Sequence, residues 1–60
     1  MAKYDYVRLR ESLIDYFSAA VSNGNPIAQI SLIETRSADD ERLLEIARDN
    51  GYDLTYFEIN

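Results

Sequence analysis

The alternation of apolar and polar residues is most regular between Ser37 and Leu54, where it predicts a single helix. Four apolar residues of this stretch fall within one arc of about 160° on a helical wheel. Most of the other positions are charged, so the helix would bury one stripe and expose the rest to water. We therefore predict a helix over residues 38–50. Its apolar stripe consists of Leu43, Leu44, Ile46 and Ala47.

Both ends of this predicted helix carry residues that favour a helix boundary. Ser37 is the predicted N-cap, because its hydroxyl can accept a hydrogen bond from an unpaired backbone N–H three residues later. Asp39, Asp40 and Glu41 place negative charge on the first turn, where the helix dipole is positive. Gly51 is placed to adopt the left-handed conformation that ends many helices. The helix boundaries thus follow from local signals in the sequence.

A broader apolar face runs from about residue 5 to residue 22 and predicts a first, longer helix. It covers about half of the helix circumference, which is wide enough to contact two other elements. Arg10 lies inside this apolar arc. Its charge would either anchor an acidic ligand or partner, or reach a carboxylate such as Glu34 or Asp40 while its stem packs. The run Asn23-Gly24 then ends the helix.

Residues 27–35 fit either a helix or a strand. As a strand, their alternation and their β-branched content would suit pairing with residues 54–59 in a two-stranded sheet, which a dimer partner would complete. Asn25 followed by Pro26 is typical of a helix start, so we predict a short helix over residues 26–34. That helix would have two apolar faces and be buried on both sides, with Ile27, Ile30 and Ile33 on one face and Ala28 and Leu32 on the other.

The predicted fold is all-α, a compact three-helix domain with a short C-terminal tail folded back against the first helix. The 60 residues make one domain, 1–60, with a small core, because so short a chain buries only about 60% of its unfolded surface. Asp53 can cap a further short turn within the tail. The alternative is α+β, with the small two-stranded sheet described above. The predicted core consists of Leu9, Leu13, Phe17, Ile30, Ile33, Leu43, Ile46 and Ala47.

The chain contains neither Cys nor His, which narrows the chemistry open to it. Disulfides and thiolate metal sites are excluded, and the commonest general base and transition-metal ligand is absent. Pairs of carboxylates can carry out acid–base catalysis, but they need a pocket that raises one pKa, and 60 residues offer little volume for one. We therefore expect no enzymatic activity, no catalytic or metal site and no cofactor.

The net charge of −5 is unevenly distributed. Residues 1–30 carry as many basic as acidic side chains, whereas residues 31–60 carry three arginines against eight acids. Such an acidic half disfavours direct binding of nucleic acid, which needs clustered Lys and Arg. It would suit binding to a basic partner or mimicry of nucleic acid. Alternatively, it is an ordinary face exposed to solvent.

No apolar run approaches the roughly 18 residues that span a bilayer, and the first residues do not resemble a secretory signal. We expect a soluble, cytoplasmic protein that does not associate with membranes.

The stretch from Ser37 to Leu54 resembles the close of short, acidic, uncharacterised proteins of Gram-positive bacteria and their phages. The run Asn23-Gly24-Asn25-Pro26-Ile27-Ala28 fits the same group. The same stretch is also similar to the C-terminal helix of Nif11-like leader peptides, which reaches the sequence Ala-x-x-x-Gly-aromatic-Asp; here Ala47, Gly51, Tyr52 and Asp53 match it. The first resemblance implies a compact helical fold in a bacterial protein and no established activity.

The composition favours association with another protein. An apolar content of 47% and an aromatic content of 12% are generous for so short a chain, so we expect part of this surface to be buried against a second copy or another protein. We predict a non-enzymatic protein-interaction module that self-associates as a homodimer. The alternative is an acidic DNA-mimic-type inhibitor of a nucleic-acid enzyme, encoded by a phage or mobile element. Candidate partner contacts are Arg10, Tyr52, Tyr56 and Phe57.

Overall fold

The computed structural model describes residues 3–59 of the chain. The predicted all-α, three-helix fold is confirmed. The α+β alternative is wrong, since the β pairing within residues 3–59 amounts to one isolated bridge between Tyr4 and Glu58. None of the helices in this range is both long and apolar enough to cross a bilayer. The elements in chain order are α1 (Tyr6–Ser22), α2 (Pro26–Ser37), α3 (Asp40–Asp49) and a 3₁₀ helix (Leu54–Phe57).

The segment that fitted either helix or strand is helical over its whole length and belongs to α2. Asn25 caps it, because its side chain accepts a hydrogen bond from the backbone N–H of Ile27 at 3.1 Å, and Pro26 occupies the first turn. These start signals, together with packing against α1, outweigh the β propensity of three isoleucines. The helix also runs three residues past the predicted end at residue 34.

This extension makes Ser37 the last residue of α2, so the prediction of Ser37 as the N-cap of the next helix is wrong. The Ser37 hydroxyl instead donates within its own helix to the carbonyls of Ile33 and Glu34, both at 3.4 Å. Asp39 caps α3, and its carboxylate accepts from the backbone N–H of Arg42 at 2.8 Å. A carboxylate can replace a hydroxyl as N-cap and adds a favourable charge–dipole interaction.

Gly51 ends α3 as predicted. It has a positive φ of 75°. The N–H of Tyr52 donates to the Ala47 carbonyl at 2.9 Å, and the N–H of Gly51 donates to the Arg48 carbonyl at 3.1 Å. This pair of bonds is the Schellman motif, which needs the left-handed conformation that glycine adopts readily. The turn directs the chain back so that Tyr52 reaches α1.

The core contains six of the eight predicted residues, but the prediction for Ile30 and Ile33 is wrong, since both are exposed. α2 instead presents Ala28 and Thr35 to the interior. The Thr35 hydroxyl is satisfied within its own helix by the Ser31 carbonyl at 2.7 Å. Small side chains let α1 and α2 approach closely, which three isoleucines on the inner face would prevent. The buried apolar residues are Leu9, Leu13, Phe17, Ala28, Ala38, Leu43, Ile46 and Ala47.

The tail folds back against the start of the chain, next to α1. The Asp5 N–H donates to the Phe57 carbonyl and the Ile59 N–H donates to the Lys3 carbonyl, each at 2.7 Å. Asp53 caps the 3₁₀ helix as predicted, because its carboxylate accepts from the Thr55 N–H at 3.0 Å. The wide apolar face of α1 is thereby covered by α2, α3 and the tail.

Candidate interaction surface

The outer side of α2 carries a stripe of three exposed isoleucines, which we call the isoleucine face: Ile27, Ile30 and Ile33. These three residues are 71%, 66% and 63% exposed, respectively. At 100° per residue, Ile30 lies about 160° around the helix from the buried Ala28. The two apolar faces predicted for this helix are therefore both present, but only one of them is covered. The sequence pattern contained this face, although not the fact that it points outward.

The isoleucine face lies within a stretch of the chain, from Tyr16 to Ile33, that has no charged residue. Between Asn25 and Ser37 the charged residues are Glu34 and Arg36. Glu34 forms an ion pair with Arg42 of α3, in which the Arg42 Nε donates to Glu34 Oε1 at 2.7 Å. The hydrogen bond and the charge of Glu34 raise the pKa of Arg42, and Glu45, 3.0 Å from the same guanidinium, adds to the effect. The α2 helix thus carries one acidic and one basic side chain and no net charge of its own.

Arg10, a candidate partner contact, is engaged within the molecule. Its guanidinium donates to the carbonyls of Thr35 and Arg36, each at 3.0 Å, and to that of Ala38 at 2.8 Å. These carbonyls lie at the C-terminal end of α2, where the helix dipole is negative and backbone acceptors lack partners within the helix. Of the two alternatives for this charge, an anchor for an acidic partner or a contact with a carboxylate such as Glu34 or Asp40, the second placed the guanidinium on a side chain. The guanidinium binds backbone carbonyls instead and holds the end of α2 against α1.

Tyr52 joins an aromatic cluster between α1 and the tail. Its ring packs edge-to-face on Tyr16, with centroids 5.9 Å apart, and stacks on Phe57 at 6.2 Å. Its hydroxyl donates to the backbone carbonyl of Ser12 at 3.1 Å. Aromatic pairs of this geometry contribute about 0.5–1.5 kcal/mol beyond their buried area. The half-buried Tyr52 side chain therefore has internal partners on both its ring and its hydroxyl.

Phe57 and Tyr56 are neighbours in sequence but differ in environment. Phe57 packs against the core, and the Arg8 guanidinium lies 5.9 Å from its ring centroid, within the range of a cation–π interaction. Tyr56 points away and is 77% exposed. Of the four candidate contacts, Tyr56 is thus the one whose side chain is mostly open to solvent. The assignment of all four to a partner stays a prediction.

The acidic residues of α3 form a second, charged surface. Glu41, Glu45 and Asp49 recur every four residues, so they share one side of the helix, and all three are exposed. An open depression of about 520 Å³ lies along them, lined also by Leu44 and Arg48. Another of about 300 Å³ lies between α2 and α3. Within residues 3–59, no cluster of three potential metal ligands is present.

One carboxylate outside this surface has a shifted pKa. The Thr55 hydroxyl donates to the Asp53 carboxylate at 2.6 Å, and with the backbone N–H of Thr55 it lowers the pKa of Asp53. This shift accompanies the cap of the 3₁₀ helix, since the donors belong to the turn that Asp53 begins. It therefore reflects local structure.

No family model, curated protein or solved structure matches this chain. The resemblance to short acidic proteins of Gram-positive bacteria and their phages, and to Nif11-like leader peptides, therefore stays a prediction.

Proposed function

We propose that this protein is a small, non-enzymatic interaction module that binds a partner protein through the isoleucine face. The observation that carries the proposal is the exposure of three isoleucines in one stripe of α2, on the side opposite the buried Ala28. Contiguous apolar surface on a small soluble domain is typical of protein–protein contacts. The non-enzymatic part of the proposal rests on the lack of His and Cys in the sequence.

The energetics of the isoleucine face also support a role in binding. Covering the exposed part of each isoleucine would contribute about 1–2 kcal/mol. The fold gains little stability from these side chains, because the rest of residues 3–59 covers only about a third of each isoleucine. A partner would gain several kilocalories per mole from the three together. The stripe is therefore better explained by binding than by folding.

A photo-reactive amino acid at position 30 of the full chain, expressed in its native cell, tests this proposal. We expect covalent adducts with a protein partner on irradiation, because Ile30 is the centre of the stripe. Position 15 is the matched control, since Asp15 is exposed on α1. Equal adduct yields at positions 30 and 15, or no adduct at position 30, would contradict the proposal.

A second candidate function, an acidic mimic of nucleic acid, is favoured by the side chains of Glu41, Glu45 and Asp49. Their recurrence every four residues gives a rise of about 6 Å between successive carboxylates along α3, of which Glu45 is paired with Arg42. A basic groove on a nucleic-acid enzyme would bind such a row by charge. The photo-reactive group placed at position 45 distinguishes this function: adducts there, formed at about 50 mM salt and lost at about 200 mM, would favour mimicry.

A further inference from the structure

We infer that the partner of the isoleucine face is a second copy of this chain, bound with the two α2 helices antiparallel about a twofold axis through Ile30. This inference rests on the proposed function and names the occupant of the same surface. Two observations on α2 carry it, the symmetry of the isoleucine spacing and the low charge of the helix, and the length of the helix sets the size of the interface.

The spacing of the isoleucines is symmetric about Ile30. Ile27 precedes it by three residues and Ile33 follows it by three. A twofold axis through Ile30 in antiparallel helices would place Ile30 against Ile30 of the partner subunit, and Ile27 against Ile33 of the partner subunit. Twofold interfaces require a patch that is complementary to itself, and this stripe meets that requirement. Antiparallel helices also place opposite dipole ends side by side.

Charge directs two copies of this chain to the same face. Each copy carries −5, so they repel wherever their acidic surfaces meet. The α2 segment holds one acid and one base, and the acid is already paired with Arg42. A basic partner would gain nothing from such a surface, whereas a second copy avoids its own repulsion there. Contact between two acidic surfaces would be opposed by charge repulsion, whereas contact between two isoleucine faces would not.

The size of the surface predicts a reversible dimer. Standard interfaces bury about 800 Å² on each partner, which is roughly a fifth of the 4352 Å² surface of this molecule. The 12 residues of α2 extend about 18 Å, so the isoleucines can form an apolar centre and the flanking polar residues a rim. A single helix of this length places the interface at the small end of the range, where complexes are weak and transient, so we expect dissociation at micromolar to millimolar concentration.

Cysteine substitution tests the geometry directly, because the chain has no Cys of its own. Packed helices lie about 8–10 Å apart, so residues that face each other come within the Cα separation of a disulfide, about 4.4–6.8 Å. We expect I30C to form a disulfide-linked dimer on mild oxidation. I27C and I33C should each remain largely monomeric alone and cross-link when mixed. D15C, an exposed position on α1, gives the rate of random collision.

Other cross-linking patterns overturn the inference. Homodimers of all three isoleucine variants would mean that the helices are parallel. A rate for I30C equal to that of D15C would mean that the two faces do not meet.

Sedimentation equilibrium up to about 1 mM measures the association itself. I30K should weaken dimerisation at least about tenfold, because two ammonium groups would meet on the axis. Y56K is the control, since it introduces the same lysine at an exposed position of the tail and should change the dimer constant less than about threefold. Circular dichroism checks that each variant is folded, and the cross-linking test stands if I30K is not.

The outcomes separate this inference from the proposed function. A monomeric wild type, with I30C cross-linking only at the collision rate, overturns the dimer. If photo-adducts at position 30 then join the chain to a different protein, the interaction module stands with another occupant. If position 30 yields no adduct either, both fail. Loss of the dimer in Y56K but not in I30K would assign the interface to the tail and overturn both.

Discussion

At the scale of single residues, Arg10 shows how a charge inside an apolar arc is accommodated. Its guanidinium provides donors to three backbone carbonyls at the end of α2. These acceptors have no further turn of helix to bond with, so one planar side chain satisfies several of them at once. Arg10 thereby joins the second turn of α1 to the last turn of α2 and to the residue that follows it.

Replacing Arg10 with Met keeps much of the apolar stem and removes the donors, so R10M should lower the free energy of unfolding by about 1.5–3 kcal/mol. R10K should recover only part of this loss, because an ammonium is a compact donor and cannot span three carbonyls. Urea denaturation measures the change. R36M is the control, since Arg36 is exposed, and we expect a change within about 0.5 kcal/mol. Equal losses in R10M and R36M would show that the carbonyl contacts contribute little.

At the scale of elements, the features set by neighbouring residues were predictable from the sequence. The glycine stop of α3 and the cap at Asp53 depend on groups a few residues apart, and both are present. The start of α3 was harder to predict, because Ser37 and Asp39 are both favourable N-cap residues and lie only two positions apart. The choice between them was settled by how far α2 extends, which depends on its packing against α1 and on Arg10.

The inner face of α2 could not be predicted from periodicity, because both of its faces are apolar. The isoleucine face is the more hydrophobic, and burial by hydrophobicity alone predicts it inside. The structure buries Ala28 and Thr35 instead. Which face is covered depends on the distance between two helix axes, and that distance is a property of the assembled molecule. The sequence pattern placed the three isoleucines on one face of the helix, but it did not predict that this face is exposed.

This orientation of α2 predicts opposite responses at two positions of one helix. A28L should lower the free energy of unfolding by about 1–3 kcal/mol, because the larger side chain has no room between α1 and α2. I30A should change it by no more than about 0.5 kcal/mol, since Ile30 is mostly exposed and Ala favours helix. Urea denaturation at low micromolar concentration keeps any dimer dissociated. A large loss in I30A with little change in A28L would place the isoleucines inside.

At the scale of the whole molecule, the tail completes the fold of a chain whose hydrophobic core is small. A domain of this size is stable by only about 3–9 kcal/mol, so each layer against α1 matters. The tail contributes Phe57 to the aromatic cluster and pairs its backbone with the residues before α1. A segment held by both kinds of contact is part of the domain, in contrast to a loose arm that would order only on a partner.

The adjacent residues Phe57 and Tyr56 test this view of the tail. F57A should lower the free energy of unfolding by about 1–3 kcal/mol, because it removes the stacking on Tyr52, the contact with Arg8 and part of the core packing. Y56A should change it by less than about 0.5 kcal/mol, since that side chain is in water. Urea denaturation compares the two variants.

Hydrogen exchange adds an independent measure of the tail. The Asp5 and Ile59 amides donate to carbonyls across the junction of the termini, so both should be protected in the wild type and lose protection together in F57A. Rapid exchange of both amides in the wild type, with equal stability of F57A and Y56A, would mean that the tail is loose. The domain would then be α1, α2 and α3 alone, and the aromatic residues of the tail would be available to a partner. Protected amides and a destabilised F57A would instead leave the outward surfaces of α2 and α3 as the places where this small molecule meets others.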